Sequence, residues 1–192
     1  EKNMNEKKKE ISTPFLEGET VNLCPLNMEN VNLYTKWFND PDIRRYYSHI
    51  IPRSIDEIKK WFEPEGERVK KKIVFEIWHR KDNKAIGTAG FSTINWINRN
   101  ANIFVAIGEL DYWGHNIAPE VSKLLISYGF EELNFHKIYT SIYSPNKQSL
   151  RVAEKIGFKH EGTLKEQIYI DGEFVDELRF AIFKNEWINN DR

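Results

Sequence analysis

The first part of the chain carries one strand pattern followed by two helical patterns. Apolar residues around Val21 and Leu23 predict a strand over 20–26. Apolar residues then recur every three or four positions from 31 to 38, which is the spacing of one helix face. Ser54 stands three positions before Glu57, so the two form a capping box that begins a second helix. This helix is expected to bury Ile55, Ile58, Trp61 and Phe62 on one face.

The middle of the chain, from 72 to 107, is rich in strand-forming residues. Two polar turns, at 81–84 and 98–100, divide it. The expected strands are 73–78, 85–94 and 101–107.

The last part alternates helix and strand before it closes in a hairpin. The apolar stripe of a helix begins at Ile117, and Gly157 suits the left-handed end of a later helix. Asp171-Gly172 is a strong hairpin turn. The predicted segments are a helix over 117–128, a strand over 137–143, a helix over 147–156, and strands over 161–170 and 173–183. The order predicts an α/β (α+β) fold, in which about four helices cover a mixed central sheet.

Composition narrows the class of protein. The 192 residues are 40% hydrophobic and 14% aromatic, which suits a single domain over 13–192 preceded by a flexible charged tail over 1–12. A net charge of −1 gives no general attraction to nucleic acid or to an anionic membrane. Neither a run of 18 apolar residues nor a signal peptide is apparent, so we expect a cytoplasmic protein. The single cysteine, Cys24, excludes an internal disulfide, and the scattered histidines predict no metal site.

The most informative segment runs from Gly108 to Glu120, where a predicted strand leads through a short loop into a helix. The first backbone N–H groups of a helix lack partners within the helix, and the helix dipole adds positive charge there. Such a terminus binds phosphate groups without needing a lysine. Pro119 suits the first helical turn, because its missing N–H costs nothing there. The alternative is an ordinary turn that contains one glycine.

Four motifs in order resemble one family. The segment Tyr112-Trp113-Gly114-His115-Asn116-Ile117-Ala118 is similar to the acetyl-CoA pyrophosphate loop of the GNAT superfamily, in the form found in its RimJ/RimL-like branch. The other similar motifs are Trp37-Phe38-Asn39-Asp40-Pro41, the run from Asn146 and Ser149 through 154–158 to Glu161-Gly162, and the closing hairpin 171–176 with Glu186-Trp187. The resemblance spans about 20–187, nearly the whole domain.

The resemblance implies a fold and an activity. The sheet is expected to be mostly antiparallel, with middle strands that splay apart to leave a gap for a thioester. The activity implied is that of an N-acetyltransferase, in which an amine attacks acetyl-CoA directly, without a covalent enzyme intermediate and without a metal. Asn146 and Ser149 are the implied catalytic residues, with Ser149 hydrogen-bonding or protonating the departing thiolate. The implied cofactor-binding residues are Ile107, Gly108, Glu109, Trp113, Gly114, His115, Asn116, Ile117, Ala118, Asn146, Ser149 and Lys155.

The chain departs from the family pattern at three positions. Asn116 replaces the second glycine of the loop, although asparagine tolerates left-handed backbone angles. Ala153 stands where many members carry a tyrosine acid, and Asn102 where many carry a glutamate base. These departures keep a catalytically impaired CoA-binding module open as an alternative.

Several further assignments stay open at this stage. The first candidate for the acceptor is a protein N-terminal α-amine, and the alternatives are a polyamine or an amino sugar. Ser149 is either a donor to the thiolate or only a helix cap. The tyrosines and tryptophans Tyr46, Tyr47, Trp61 and Trp96 line the acceptor pocket or belong to the core. The family habit and the aromatic residues Tyr169, Phe174 and Phe180 of the closing strands point to a homodimer through the C-terminal hairpin.

Overall fold

The computed structural model describes residues 13–47, 51–63 and 70–190, and the predicted tail over 1–12 lies outside them. Within these ranges the chain forms eight strands and six α-helices. The strands are β1 (Leu16–Glu17), β2 (Val21–Pro25), β3 (Ile73–His79), β4 (Lys84–Asn95), β5 (Asn100–Ile107), β6 (Lys137–Tyr143), β7 (Lys159–Ile170) and β8 (Glu173–Phe183). The helices are α1 (Val31–Asn39), α2 (Pro41–Arg44), α3 (Ile55–Lys59), α4 (Ile117–Glu131), α5 (Lys147–Ile156) and α6 (Lys184–Asn190).

All the strands belong to one sheet, in the order β1-β2-β3-β4-β5-β6-β8-β7. Every neighbouring pair is antiparallel except β5 and β6, which run parallel. The parallel pair is short: it begins at Asn100 opposite Lys137 and ends at Asn102 opposite Tyr139. Beyond Asn102 the two strands separate. The structure therefore confirms the mixed, mostly antiparallel sheet with splayed middle strands.

The helices cover the sheet on both faces, because alternate strand residues point to opposite sides. On one face, Phe75 and Ile77 of β3 pack in a core with α4 and α5. On the other face, Trp78 of the same strand packs with Tyr34 and Trp37 of α1. The gap between β5 and β6 is thus flanked by α4 and α5 on one face and by α1 and α2 on the other.

A buried carboxyl group fixes α1 on the sheet. Glu76 of β3 has no solvent exposure, and one of its oxygens accepts hydrogen bonds from the Tyr34 hydroxyl and from Asn30 Nδ2. Burial, together with this hydrogen bond to Glu76, raises the pKa of Tyr34 well above its usual range, so the phenol stays a donor. A buried carboxyl group needs such donors, and their geometry sets where α1 lies.

The four predicted helices are present, and two more accompany them. The side chain of Asp40 accepts hydrogen bonds from the backbone N–H groups of Asp42 and Ile43, and Pro41 occupies the first turn, so the predicted end of α1 also begins α2. The other addition is α6, which follows β8 directly.

Two side chains lie elsewhere than predicted. Ile55 is 42% exposed, because α3 has only five residues and turns Ile58 rather than Ile55 to the core. Phe180 was expected at a dimer surface but is only 5% exposed, because its position on β8 points into the core beneath α5.

Candidate active site

One edge of β5 faces the gap with backbone groups that do not pair with a neighbouring strand. Gly108 donates its N–H to the Ile86 carbonyl of β4 at 2.8 Å, which makes these two residues a hydrogen-bonded pair. In an antiparallel pair such positions alternate with positions whose backbone groups point outward. The register places Val105 and Ile107 at the outward positions. Their N–H and C=O groups therefore point away from β4, into the gap left by β6.

Two side chains from different elements mark this edge. The Tyr47 hydroxyl donates to the Val105 carbonyl at 2.9 Å. Trp113 donates its indole N–H to the Ile107 carbonyl at 3.0 Å. The edge is thus accessible to hydrogen-bond donors from the side of α2 and from the loop before α4. It can also accept hydrogen bonds from the N–H groups of an extended chain of amides.

The loop before α4 presents a row of backbone donors. Gly114 and Asn116 adopt left-handed angles, with φ of +80° and +59°. In the described part of the chain, the N–H groups over 114–118 donate to no other group. They precede a helix of 15 residues, whose dipole favours an anion at this end. The structure confirms the strand–loop–helix arrangement and the expectation that asparagine can replace the second glycine.

The charged side chains nearby suit an anion. Lys155 of α5 reaches the loop, and its Nζ donates to Asn116 Oδ1 at 3.3 Å. Glu120 lies in the first turn of α4, but its carboxylate accepts the N–H groups of Thr20 at 2.8 Å and Val21 at 3.3 Å. This negative charge is held at the β1–β2 turn, whereas Lys155 points at the loop.

The start of α5 carries the two residues predicted to be catalytic. Asn146 is the N-cap, because its Oδ1 accepts the backbone N–H of Ser149 at 3.1 Å. The alternative that Ser149 is the cap is therefore wrong. Within the described ranges the Ser149 hydroxyl has no hydrogen-bond partner, and it is only partly buried. Ala153 lies one turn further on and is buried in the core.

An apolar cleft lies on the opposite face, between the first two helices and the β4–β5 pair. Its cavity volume is about 30 Å³, and the cleft continues into an open mouth. The lining is largely apolar and consists of Trp37, Phe38, Ile43, Arg44, Tyr47, Thr88, Ala106 and Gly108. Of the four aromatic residues considered for this role, Tyr47 lines the cleft, whereas Tyr46, Trp61 and Trp96 are not among the residues that line it. Trp61 packs edge-on against Phe38, with 4.8 Å between the ring centres.

Gly108 lets α1 approach β5 closely. A β-carbon at this position would lie 2.2 Å from Cδ2 of Trp37, a distance that no real contact shows. The Trp37 ring therefore rests on the backbone of Gly108. This contact forms the floor of the cleft where β5 ends.

Glu109 lies at the same end of the cleft. Its carboxylate accepts hydrogen bonds from Trp37 Nε1 at 2.8 Å and from Lys36 Nζ at 3.2 Å. Partial burial raises the pKa of Glu109, but these two hydrogen bonds and the positive charges of Lys36 and Lys84 outweigh it and hold the pKa below its usual range. The site therefore includes an ionised carboxylate beside the cleft.

The predicted cofactor-binding residues fall into two groups. One group lies along the gap and consists of the loop residues, Lys155 and Ile107. Asn146 and Ser149 join it at the start of α5, on the same face of the sheet as α4. Gly108 and Glu109 instead turn toward α1, and both donate their backbone N–H groups to the Ile86 carbonyl.

Sequence reasoning did not name Trp37, Ile43, Arg44 or Thr88 as site residues. Trp37 belongs to the motif at 37–41 that resembles the family, so the sequence did contain a signal for it. Thr88, a polar residue between the small residues Gly87 and Ala89 of a buried strand, was a further signal.

The described residues provide neither a candidate metal centre nor a membrane-spanning helix. Over the ranges that the structure describes, no three side chains of the types that bind metals come together in a group able to hold an ion. No helix there has the length and apolar character needed to cross a membrane.

Residues 21–159, more than half of the chain, match the family described as the acetyltransferase (GNAT) domain. The chain belongs to this family and is an acyltransferase with acetyl-CoA as its co-substrate.

Relatives that are named for an acceptor differ in that acceptor. Spermidine N(1)-acetyltransferase of Escherichia coli is 25% identical over 172 residues, which cover 89% of this chain and 90% of that protein. A putative ribosomal N-acetyltransferase of Bacillus subtilis is 29% identical over 106 residues, covering 55% of this chain and 57% of the relative. The crystal structure of a Vibrio cholerae spermidine N-acetyltransferase with CoA and spermine superposes with a TM-score of 0.82 at 24% identity, covering 90% of this chain and all of that one. That likeness shows the same fold.

Proposed function

We propose that this enzyme transfers the acetyl group of acetyl-CoA to a primary aliphatic amine, with a polyamine as the leading candidate acceptor. The observation that carries the proposal is the junction of three features at one gap. The outward edge of β5 supplies hydrogen-bonding groups, the loop over 114–118 supplies free N–H groups at one end, and an apolar cleft opens from the other face.

The co-substrate fits this arrangement group by group. The pyrophosphate would accept hydrogen bonds from the loop amides, with Lys155 beside them. The amide groups of the pantetheine arm would pair with the outward backbone of Val105 and Ile107, as an added strand does. The acetyl end would then lie between Ser149 and the mouth of the acceptor cleft.

The chemistry needs orientation and charge stabilisation rather than a covalent intermediate. The neutral amine attacks the carbonyl carbon, the C–S bond breaks, and its electron pair goes to sulphur. The Ser149 hydroxyl, which has no other partner within the described ranges, would hydrogen-bond to that sulphur as charge develops. The side chain of Asn146 has its Oδ1 committed to the cap, so its Nδ2 would be the group that contacts the acetyl end or the arm.

Two observations support a cationic small-molecule amine as the acceptor. The ionised carboxylate of Glu109 lies beside a cleft whose aromatic side chains favour cations, although Lys36 pairs with this carboxylate and Arg44 also lines the cleft. Relatives that match nine tenths of the chain are named for spermidine. A protein N-terminal α-amine is the second candidate: a relative matching about half of the chain is named for ribosomal acetylation, and an α-amine with a pKa of about 8 has a larger neutral fraction than a lysine amine at about 10.4.

We also propose that residues 13–192 act as a single domain in the cytoplasm. One continuous sheet joins β1 to β7, and both cores form against that sheet, which supports the single domain.

A turnover screen tests the proposal. Acetyl-CoA is incubated with the protein and with spermidine, N-terminal peptides or amino sugars, and both free CoA and the acetylated product are measured. We expect equal amounts of the two, the highest kcat/KM for spermidine, and no acyl-enzyme. Release of no product from any amine by folded protein would contradict the proposal and favour an impaired CoA-binding module.

Substitution of Ser149 tests its role separately. Ser149→Ala should lower kcat by about 10²–10⁴-fold, with affinity for acetyl-CoA little changed. Gln148→Ala is the matched control, because Gln148 is the exposed neighbour on the same helix. If Ser149→Ala retains the wild-type kcat, the sulphur is served by water and the assignment of Ser149 is wrong.

A further inference from the structure

We infer that Tyr47 is a further catalytic residue, whose hydroxyl hydrogen-bonds to the reacting thioester where the acceptor cleft meets the gap. The inference rests on the proposed function and adds a second donor, on the opposite face of the sheet from Ser149.

The geometry of Tyr47 is that of a bridge between two parts of the site. Its ring lines the acceptor cleft together with Trp37 and Thr88. Its hydroxyl nevertheless reaches the Val105 carbonyl at 2.9 Å, and this carbonyl points into the gap rather than toward β4. The side chain of Val105 packs in the core on the other face, against α4. One phenol therefore spans from the acceptor face to the edge along which the co-substrate is proposed to lie.

The position of Val105 along the gap identifies the part of the co-substrate that Tyr47 would contact. Ile107 is nearer the open end, and its carbonyl contacts Trp113 of the phosphate-binding loop. Val105 lies two residues deeper, only three positions after Asn102, where β5 and β6 are still paired. Because the phosphate groups and the thioester are at opposite ends of the pantetheine arm, the thioester should lie toward the closed end of the gap. The Tyr47 hydroxyl is at that end.

The protonation state of Tyr47 decides what it can do there. Burial raises the pKa of its phenol above the usual value of about 10, whereas a thiol has a pKa of about 8.5. The phenol is therefore the weaker acid, so it keeps its proton and acts as a hydrogen-bond donor. As the new N–C bond forms and the C–S bond breaks, the electron pair on sulphur accepts this hydrogen bond. The amine nitrogen loses one proton and sulphur finally takes one, so the protons balance. Both transfers pass through water.

The contact with Val105 also explains how the donor is kept ready. Before the co-substrate pairs with the outward edge, the Val105 carbonyl holds the hydroxyl at the gap. When an amide N–H of the arm donates to that carbonyl, the Tyr47 hydroxyl can turn toward the negative charge that develops on sulphur. No further water has to be removed from the hydroxyl for this. Preorganised donors of this kind strengthen as charge develops, so their loss appears in kcat.

The test compares Tyr47→Phe with Tyr46→Phe. Tyr46 is the neighbouring, partly buried tyrosine, and its ring contacts the Arg45 guanidinium. We expect Tyr47→Phe to lower kcat by about 10–100-fold, with KM for acetyl-CoA, KM for the amine and the melting temperature nearly unchanged. Tyr46→Phe should retain wild-type kinetics.

A double variant adds a readout that a purely structural role would not move. If Tyr47 and Ser149 both donate to the same sulphur, the loss in Tyr47→Phe/Ser149→Ala should differ from the product of the two single losses. Unchanged kcat in Tyr47→Phe, or a change confined to KM, with active wild type and Tyr46→Phe, would overturn this inference alone. Absence of turnover by the wild type would overturn the proposed function and this inference with it.

Discussion

Replacement of Gly108 by alanine is a sharp test of how the acceptor cleft is built. The added methyl group would lie 2.2 Å from Cδ2 and 2.3 Å from Cγ of Trp37. These are atoms of a rigid ring that is only 3% exposed, so the ring cannot swing aside and α1 must shift. Overpacking of this kind costs about 1–3 kcal/mol. For a domain of this size each kcal/mol lowers the melting temperature by about 2–4 °C, so we expect a fall of about 2–12 °C.

The same shift should alter function selectively. Trp37 both floors the cleft and donates to Glu109, so its displacement should raise KM for the amine. The loop over 114–118 is not touched, so the dissociation constant for acetyl-CoA should stay near the wild-type value. Thermal unfolding and steady-state kinetics measure the two effects. Gly162→Ala is the control, because a β-carbon there meets no atom within 4 Å. Equal melting temperatures for Gly108→Ala, Gly162→Ala and wild type would refute the reasoning.

Two further predictions concern charge and assembly. Removing the indole donor in Trp37→Phe should raise the pKa of Glu109 toward its unfolded value of about 4.3. A carboxyl group whose pKa is lowered by folding stabilises the folded state at pH values above its pKa in the unfolded chain, and this stabilisation is lost as the pH falls. The difference in unfolding free energy between Trp37→Phe and wild type should therefore narrow below about pH 4. A difference that stays constant with pH in denaturant titrations would contradict this. We also propose a homodimer through the hairpin tip, where Tyr169 and Phe174 are 64% and 65% exposed; sedimentation should detect it, and a monomer at all concentrations would exclude it.

Local signals in the sequence were enough to predict most elements. The bounds of β6, α5 and β8 match the prediction residue for residue. For α5 and β8 the signal is a residue that adjoins the element: the left-handed Gly157 directly follows α5, and the Asp171-Gly172 turn directly precedes β8. The loop before α4 was also predictable, because Gly114 and Asn116 tolerate left-handed backbone angles and Pro119 suits the first turn of a helix.

Contacts between distant segments could not be predicted. Tyr47 meets Val105 across 58 positions of sequence, and Trp37 meets Glu109 across 72. Periodicity states that such aromatic residues are buried but not which backbone group they face. Spacing alone likewise could not distinguish whether Asn146 or Ser149 caps α5, because both are good caps and only the backbone angles decide.

The central claim is that acetyl-CoA binds with its pyrophosphate on the loop before α4. Calorimetric titration of acetyl-CoA into wild type, Gly114→Val and Gly172→Val tests it most directly. Both glycines have left-handed angles, with φ of +80° and +89°, and open space where a side chain would be added, so valine strains both backbones alike. Wild type and Gly172→Val should bind in the micromolar range, about −8 kcal/mol, and Gly114→Val about tenfold or more weakly. Folded wild type that binds no acetyl-CoA, or equal weakening in the two variants, would contradict the account.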